Sequence, residues 1–197
     1  MTNYIDKEEF TIFDTETTGL DYKLGDRVVE LAAIRLRGNE RMASFDSLVN
    51  PGRRVSPQAF NVNKISEEML LSAPPPGEVI PNFMDFIKGS ILCSYNAGFD
   101  LGFLNNELKL LGREGVRGVI VSDILQIARK ILPALESYSL AAVAGKLGIG
   151  SKQFHRAFSD VELTLGVFKS LKAIIEANEG CQITLEKIIN LGIIDVK

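Results

Sequence analysis

The sequence predicts an α/β fold in which a mixed β-sheet is covered by helices. Two patterns carry that expectation. Extended apolar segments come first, in hairpin order, and later ones alternate with segments of helical periodicity. The chain also has 197 residues, 46% hydrophobic and 24% charged, which suits one soluble domain with a substantial core.

The elements follow in order. A strand is expected over about 9–14, within "FTIFDTETTGL", followed by a turn, "TTGLDYKLGD". Two more strands, "RVVELAAIRLRG" and "RMASFDSLVNPG", read as a hairpin closed around Gly38-Asn39. Residues 51–81 hold six of the seven prolines and read as loops around a short helix at "SEEMLLS". Then come a helix at "PNFMDFIKG", a strand at "SILCSY" and a helix at "FDLGFLNNELKLLG" ended by Gly112. A last strand, "RGVIVS", leads into helices at "DILQIARKIL", "SLAAVAGKLG" and about 157–178. In the tail, "TLEKIINLGII" places Leu185, Ile188, Ile189 and Ile193 near one face, a short amphipathic helix over 184–193. That helix either packs on its own domain, the preferred reading, or docks a partner.

Composition excludes several function classes. A net charge of −3 is wrong for a strongly basic nucleic-acid coat protein, though not for a nuclease whose metal ions supply positive charge. Cys93 and Cys181 are too few and too far apart for a disulfide framework or a zinc site. The polar, acidic "MTNYIDKEEF" does not read as a signal peptide, and no apolar run is long enough to span a bilayer. A cytoplasmic protein with no membrane partner is expected, and the oligomeric state is not set by the sequence.

The chemistry lies in acids placed where acids are costly. In a strand, residues i and i+2 share a face, so Asp14 and Glu16 lie on the side of Phe10 and Ile12, roughly 6.5 Å apart. Such a pair needs a divalent cation, basic side chains or a proton to neutralise it. Asp100 shares the inward stripe of its helix with Phe103, Leu104, Leu108 and Leu111. Asp160 lies at the edge of the stripe Val161, Leu165, Phe168, Leu171, Ile175. Each of these two could simply be a helix-terminal acid satisfied by backbone amides. His155, the single histidine, stands in the loop before Asp160. Phosphate-loop, dinucleotide-binding and G-x-S-x-G patterns are absent. An oxygen-rich acidic cluster suits Mg²⁺ or Mn²⁺, and two such ions can stabilise both the attacking and the leaving oxygen of a phosphodiester.

The segments "FDTETTGL", "SYNAGFDLGFL", "VSDILQIARKILP", "YSLAAVAGKLGI" and "HRAFSDVELTL" resemble the DEDDh group of 3′→5′ exonucleases, most of all the proofreading epsilon subunit of bacterial DNA polymerase III. The resemblance covers about residues 8–175. It implies a ribonuclease H-like fold, a five-stranded mixed sheet flanked by helices, with an exonuclease domain over 1–178 and a tail over 179–197. It assigns the metal-binding acids to Asp14, Glu16, Asp100 and Asp160, the general base to His155, and two Mg²⁺ or Mn²⁺ ions as cofactors. Thr17, Thr18, Gly19, Leu20, Asn96 and Phe103 would hold the 3′-terminal nucleotide, with Phe103 stacking on its base.

The chain departs from that family at "VNKI", where Asn63-Lys64 stand for a His-Gly that helps grip the nucleotide, and no clamp-binding sequence occurs in the tail. The implied substrate is a single-stranded or frayed 3′ end, of DNA in proofreading or of RNA in trimming, and the implied partner a DNA polymerase subunit. A non-catalytic module binding nucleic acid or protein is the rival reading, disfavoured because all five catalytic positions are intact.

Overall fold

A computed structural model describes residues 4–150 and 153–194. Strand β1 (Glu9–Thr17) pairs antiparallel with β2 (Val28–Arg37), which pairs antiparallel with β3 (Glu40–Leu48). The β2–β3 turn falls at Gly38-Asn39, as expected, with Arg37 opposite Glu40. The proline-rich stretch holds more helix than its composition suggests: α1 (Pro57–Asn63), α2 (Glu67–Leu71) and α3 (Pro76–Ile87). Ser56 starts α1 by accepting the Ala59 N–H at 3.1 Å, and Pro57 fits the first turn, where no backbone donor is needed. Reading α1 as loop gave too little weight to that cap.

Strand β4 (Ile91–Ser94) lies parallel to β1, and helix α4 (Ala97–Leu110) follows it. Strand β5 (Val121–Asp123) is parallel to β4 and leads into α5 (Ile124–Ile131), α6 (Leu140–Lys146) and α7 (Ala157–Glu179). Helix α8 (Leu185–Gly192) and a two-residue strand, β6 (Ile193–Ile194), close the described chain. The sheet order is β3-β2-β1-β4-β5-β6. Its first five strands are the expected mixed sheet, and β6 adds a short antiparallel edge.

Period-2 alternation divides the core into two layers. Phe10, Ile12, Ala32 and Ile34 face α5, α6, α7 and α8, while Phe13, Leu31 and Ala33 face α3 and α4. Strand β2 is buried on both faces, hence its near-continuous apolar run. The 23-residue α7 lies across β1 and β2, with Phe168 against Phe10 at 5.7 Å between ring centroids. The tail packs inward: Ile183 and Ile188 are each 1% exposed within the first layer. A Cβ on Gly192 would lie 2.6 Å from Ser122 Oγ, so this close approach of α8 to β5 requires glycine.

Candidate active site

The ends of β1 and the first turns of α4 and α7 meet at one cavity of about 580 Å³. It lies at the carboxyl ends of the parallel strands, where open α/β sheets place their ligands. Of the twelve residues expected at the site, nine line this cavity: Asp14, Glu16, Thr17, Gly19, Leu20, Asn63, Asp100, His155 and Asp160. A register shift in the β1–β2 pairing after Glu16 brings Thr17 opposite Val28 and redirects the chain into the turn.

The four acids are held by different means. Asp100, 2% exposed, accepts from Thr15 N–H (3.0 Å), Thr15 Oγ1 (2.7 Å) and Ser94 Oγ (2.5 Å). Burial raises its pKa to about 6, against the lowering effect of the Ser94 and Thr15 bonds. Burial also raises Glu16 to about 8, with Asp160 and Glu30 adding repulsion. Asp14 keeps some surface open to the cavity, yet desolvation of its carboxyl and then the charges of Asp100, Glu16 and Asp160 push it well above the usual range. Asp160 is raised by burial, opposed by its bond from Gln153 Nε2 (2.7 Å) and by nearby His155. Its other oxygen, Oδ1, is buried and has no hydrogen-bond partner among the described residues.

Among the described residues no lysine or arginine pairs with this set. The neighbouring arginines are committed elsewhere: Arg156 to Glu30 (Nη2–Oε1 2.5 Å) and Arg27 to Glu107 (2.7 Å). One ligand-capable atom each of Glu16, His155 and Asp160 lies within 4.8 Å of the others. His155 Nδ1 is 4.0 Å from Asp160 Oδ2, on a backbone held at φ 51°. Four raised carboxyls with one orphaned oxygen form a donor set that fits hard divalent cations.

The turn after β1 is fixed from behind. Thr18 does not line the cavity; it is 1% exposed, and its Oγ1 donates to Asp26 Oδ1 (3.0 Å). Asp26 also accepts the Asp21 N–H at 3.1 Å. A Cβ on Gly19 would lie 2.2 Å from Asp26 Oδ2, so a side chain there would push the Asp26 carboxyl off its bonds to Thr18 and Asp21. Asn63 Nδ2 reaches Thr17 O at 3.3 Å, tying α1 to the same turn. Lys64 ends α1 in the left-handed region (φ 59°), the position where the family pattern has glycine.

Two further expectations need correction. Phe103 is wholly buried against Tyr22 and Phe99, with ring centroids 5.6 and 4.9 Å away, and cannot stack on a base. Phe99 lines the cavity in its place. Asn96 is exposed at the start of α4 and does not line the cavity; its N–H donates to Asp123 Oδ1 at 3.1 Å.

Several site residues escaped the sequence reading. Tyr95 and Gln153 line the cavity without any pattern that marks them. Glu30 carried a signal, an acid inside the apolar run "RVVELAAIRL". It sits opposite Glu16, 2% exposed, and accepts from Arg156 and from the Ala157 N–H (2.8 Å) that opens α7.

The chain is 34% identical over 166 residues to the DNA polymerase III subunit epsilon of Treponema pallidum, covering 83% of this chain and 76% of that one. It is 36% identical over 171 residues to the PolC-type DNA polymerase III of Bacillus cereus, covering 86% of this chain but only 12% of that much longer polymerase. Its fold matches that of exonuclease X in complex with 5′-overhanging duplex DNA, with a TM-score of 0.71, 24% identity, and 92% and 98% of the two chains covered. The family model described as exonuclease, of the RNase T type, matches residues 11–168. With most of its length accounted for by that model, the chain belongs to the exonuclease family.

Proposed function

We propose that this protein is a 3′→5′ exonuclease that removes nucleoside monophosphates from single-stranded or frayed DNA ends, as the proofreading activity of a DNA polymerase. The observation that carries the reading is the convergence of Asp14, Glu16, Asp100 and Asp160 with His155 on one cavity. Likeness to the Treponema pallidum epsilon subunit supports the polymerase role.

Asp14, Glu16, Asp100 and Asp160 would hold two Mg²⁺ or Mn²⁺ ions. Such ions lower the pKa of a water and neutralise charge on the phosphoryl oxygens. Thr15 and Ser94 fix Asp100, and Gln153 fixes Asp160, so the carboxylates are oriented before the substrate arrives. His155 accepts the proton of the attacking water. Thr17, Gly19, Leu20 and Asn63 bound the terminal nucleotide, and the Phe99 ring offers an apolar face that tolerates any base.

The test uses matched 3′-labelled single strands of DNA and RNA, beside a closed circular DNA strand. Mononucleotides released from the linear DNA, with the circle intact, are expected. Cutting of the circle at a similar rate would overturn the reading, and release from RNA alone would move the function to RNA trimming.

A further inference from the structure

We infer that the outer face of α4, with the 3₁₀ turn Tyr22–Leu24, is a second nucleic-acid contact that grips phosphates of the substrate strand 5′ of the nucleotide being removed. The inference rests on the exonuclease reading and adds the path of the strand outside the catalytic cavity.

The face forms an open groove of about 490 Å³ lined by Tyr22, Lys23, Gly102, Asn105, Asn106 and Lys109. The four α4 residues are spaced 3, 1 and 3 apart, so they share one side of the helix. Asp100, in the first turn of that helix, lines the catalytic cavity. Along the helix axis the groove therefore begins about level with Asp100, but on the opposite side of α4, and runs on toward the helix C-terminus for roughly 10 Å, at about 1.5 Å per residue. Aromatic rings separate the two spaces: Tyr22 stands edge-on to Phe103, which packs on Phe99 at the cavity wall. That wall depends on Gly102, since a Cβ there would lie 2.5 Å from Tyr22 Cε1.

The groove's chemistry is that of a phosphate site. It has two ammonium groups and two side-chain amides, and no carboxylate lines it. Asn105 Oδ1 already accepts the Val116 N–H at 2.8 Å, which leaves its NH₂ as the donor. The catalytic cavity is the opposite, with Asp14, Glu16, Asp21, Asp26, Asp100 and Asp160 in its lining. Arginines around it are taken up by Glu107, Asp26 and Glu30. In a chain of net charge −3, the phosphates beyond the one facing the proposed metal ions need cations outside that cavity, and Lys23 and Lys109 are placed to supply them.

The experiment compares Lys23→Gln/Lys109→Gln with its parent in the Asp14→Ala background, so that oligonucleotides stay intact. Binding of a 12-nucleotide and a 3-nucleotide single strand is followed by fluorescence anisotropy across salt concentrations. The double substitution is expected to weaken the 12-mer roughly tenfold and to flatten its log K against log salt by about 1.4, at ~0.7 per lost phosphate contact. The 3-mer, too short to reach the groove, should bind the two proteins alike. An unchanged 12-mer affinity and salt slope, or an equal loss on both lengths, would overturn the inference. Cleavage by the unsubstituted protein tests the exonuclease reading separately, so the two failures are distinguishable.

Discussion

Asp14 and Glu16 end β1 as acids that pair with no lysine or arginine among the described residues. Without metal, Glu16 stays largely protonated at neutral pH, because burial raises it to about 8. Below about pH 4.5 the folded and unfolded chains both carry that proton, and it contributes nothing to stability. As pH rises further, the unfolded chain ionises while the folded one does not, so the metal-free protein loses stability up to about pH 8. Asp14→Asn removes one member of the set. It should abolish nuclease activity, raise the metal-free melting temperature at pH 7, and flatten its fall with pH. Full activity in that variant would contradict the metal reading. The inward acids were legible because helical and strand periodicity place them directly. Periodicity also placed Phe103 on the inward stripe, where it is buried; what misled was the nucleotide role that the family resemblance assigned to it, since Phe99, off that stripe, meets the cavity. Nothing in the chain order marks Gln153, whose role depends on a loop folding back onto Asp160.

At the scale of elements, α7 carries Asp160 and is preceded by His155, so its entry geometry governs the site. Glu30 on β2 fixes that entry through Arg156 and the Ala157 N–H. This was illegible in the sequence, since it depends on the register that sets Glu30 beside Glu16 and on a contact spanning 126 residues. His155→Ala should slow cleavage by roughly 10²–10⁴-fold, the scale for losing a positioned base. Glu30→Gln should lower kcat with little change in KM, and should add little further loss in a His155→Ala protein. Full additivity in that double-mutant cycle would show that Glu30 acts independently of His155. The tail is an element of the core. Deleting residues 181–197 removes Ile183 and Ile188 from the first layer, costing about 3 kcal/mol or more. Urea denaturation should register that loss, while light scattering shows no change in association.

Across the whole molecule, the sheet brings together carboxylates far apart in the chain, Asp14 and Asp160 among them, at the carboxyl ends of its parallel strands. The hairpin and the alternation of strands with helices could be read from sequence pattern. The strand order and the β6 edge could not, because they depend on long-range pairing that local periodicity does not encode. Convergence of the acids on one cavity, with no lysine or arginine among the described residues paired to them, is what carries the proposal of a metal site. Calorimetric titration of Mn²⁺ into the metal-free protein at pH 7, in two buffers of different ionisation enthalpy, tests that claim most directly. Since burial, with repulsion from Asp160 and Glu30, raises Glu16 to about 8, it carries a proton at pH 7 that binding must displace. The account predicts saturable binding with release of about one proton or more, and its loss in Asp14→Asn. Absence of binding, or binding with no proton exchange that survives Asp14→Asn, would contradict it.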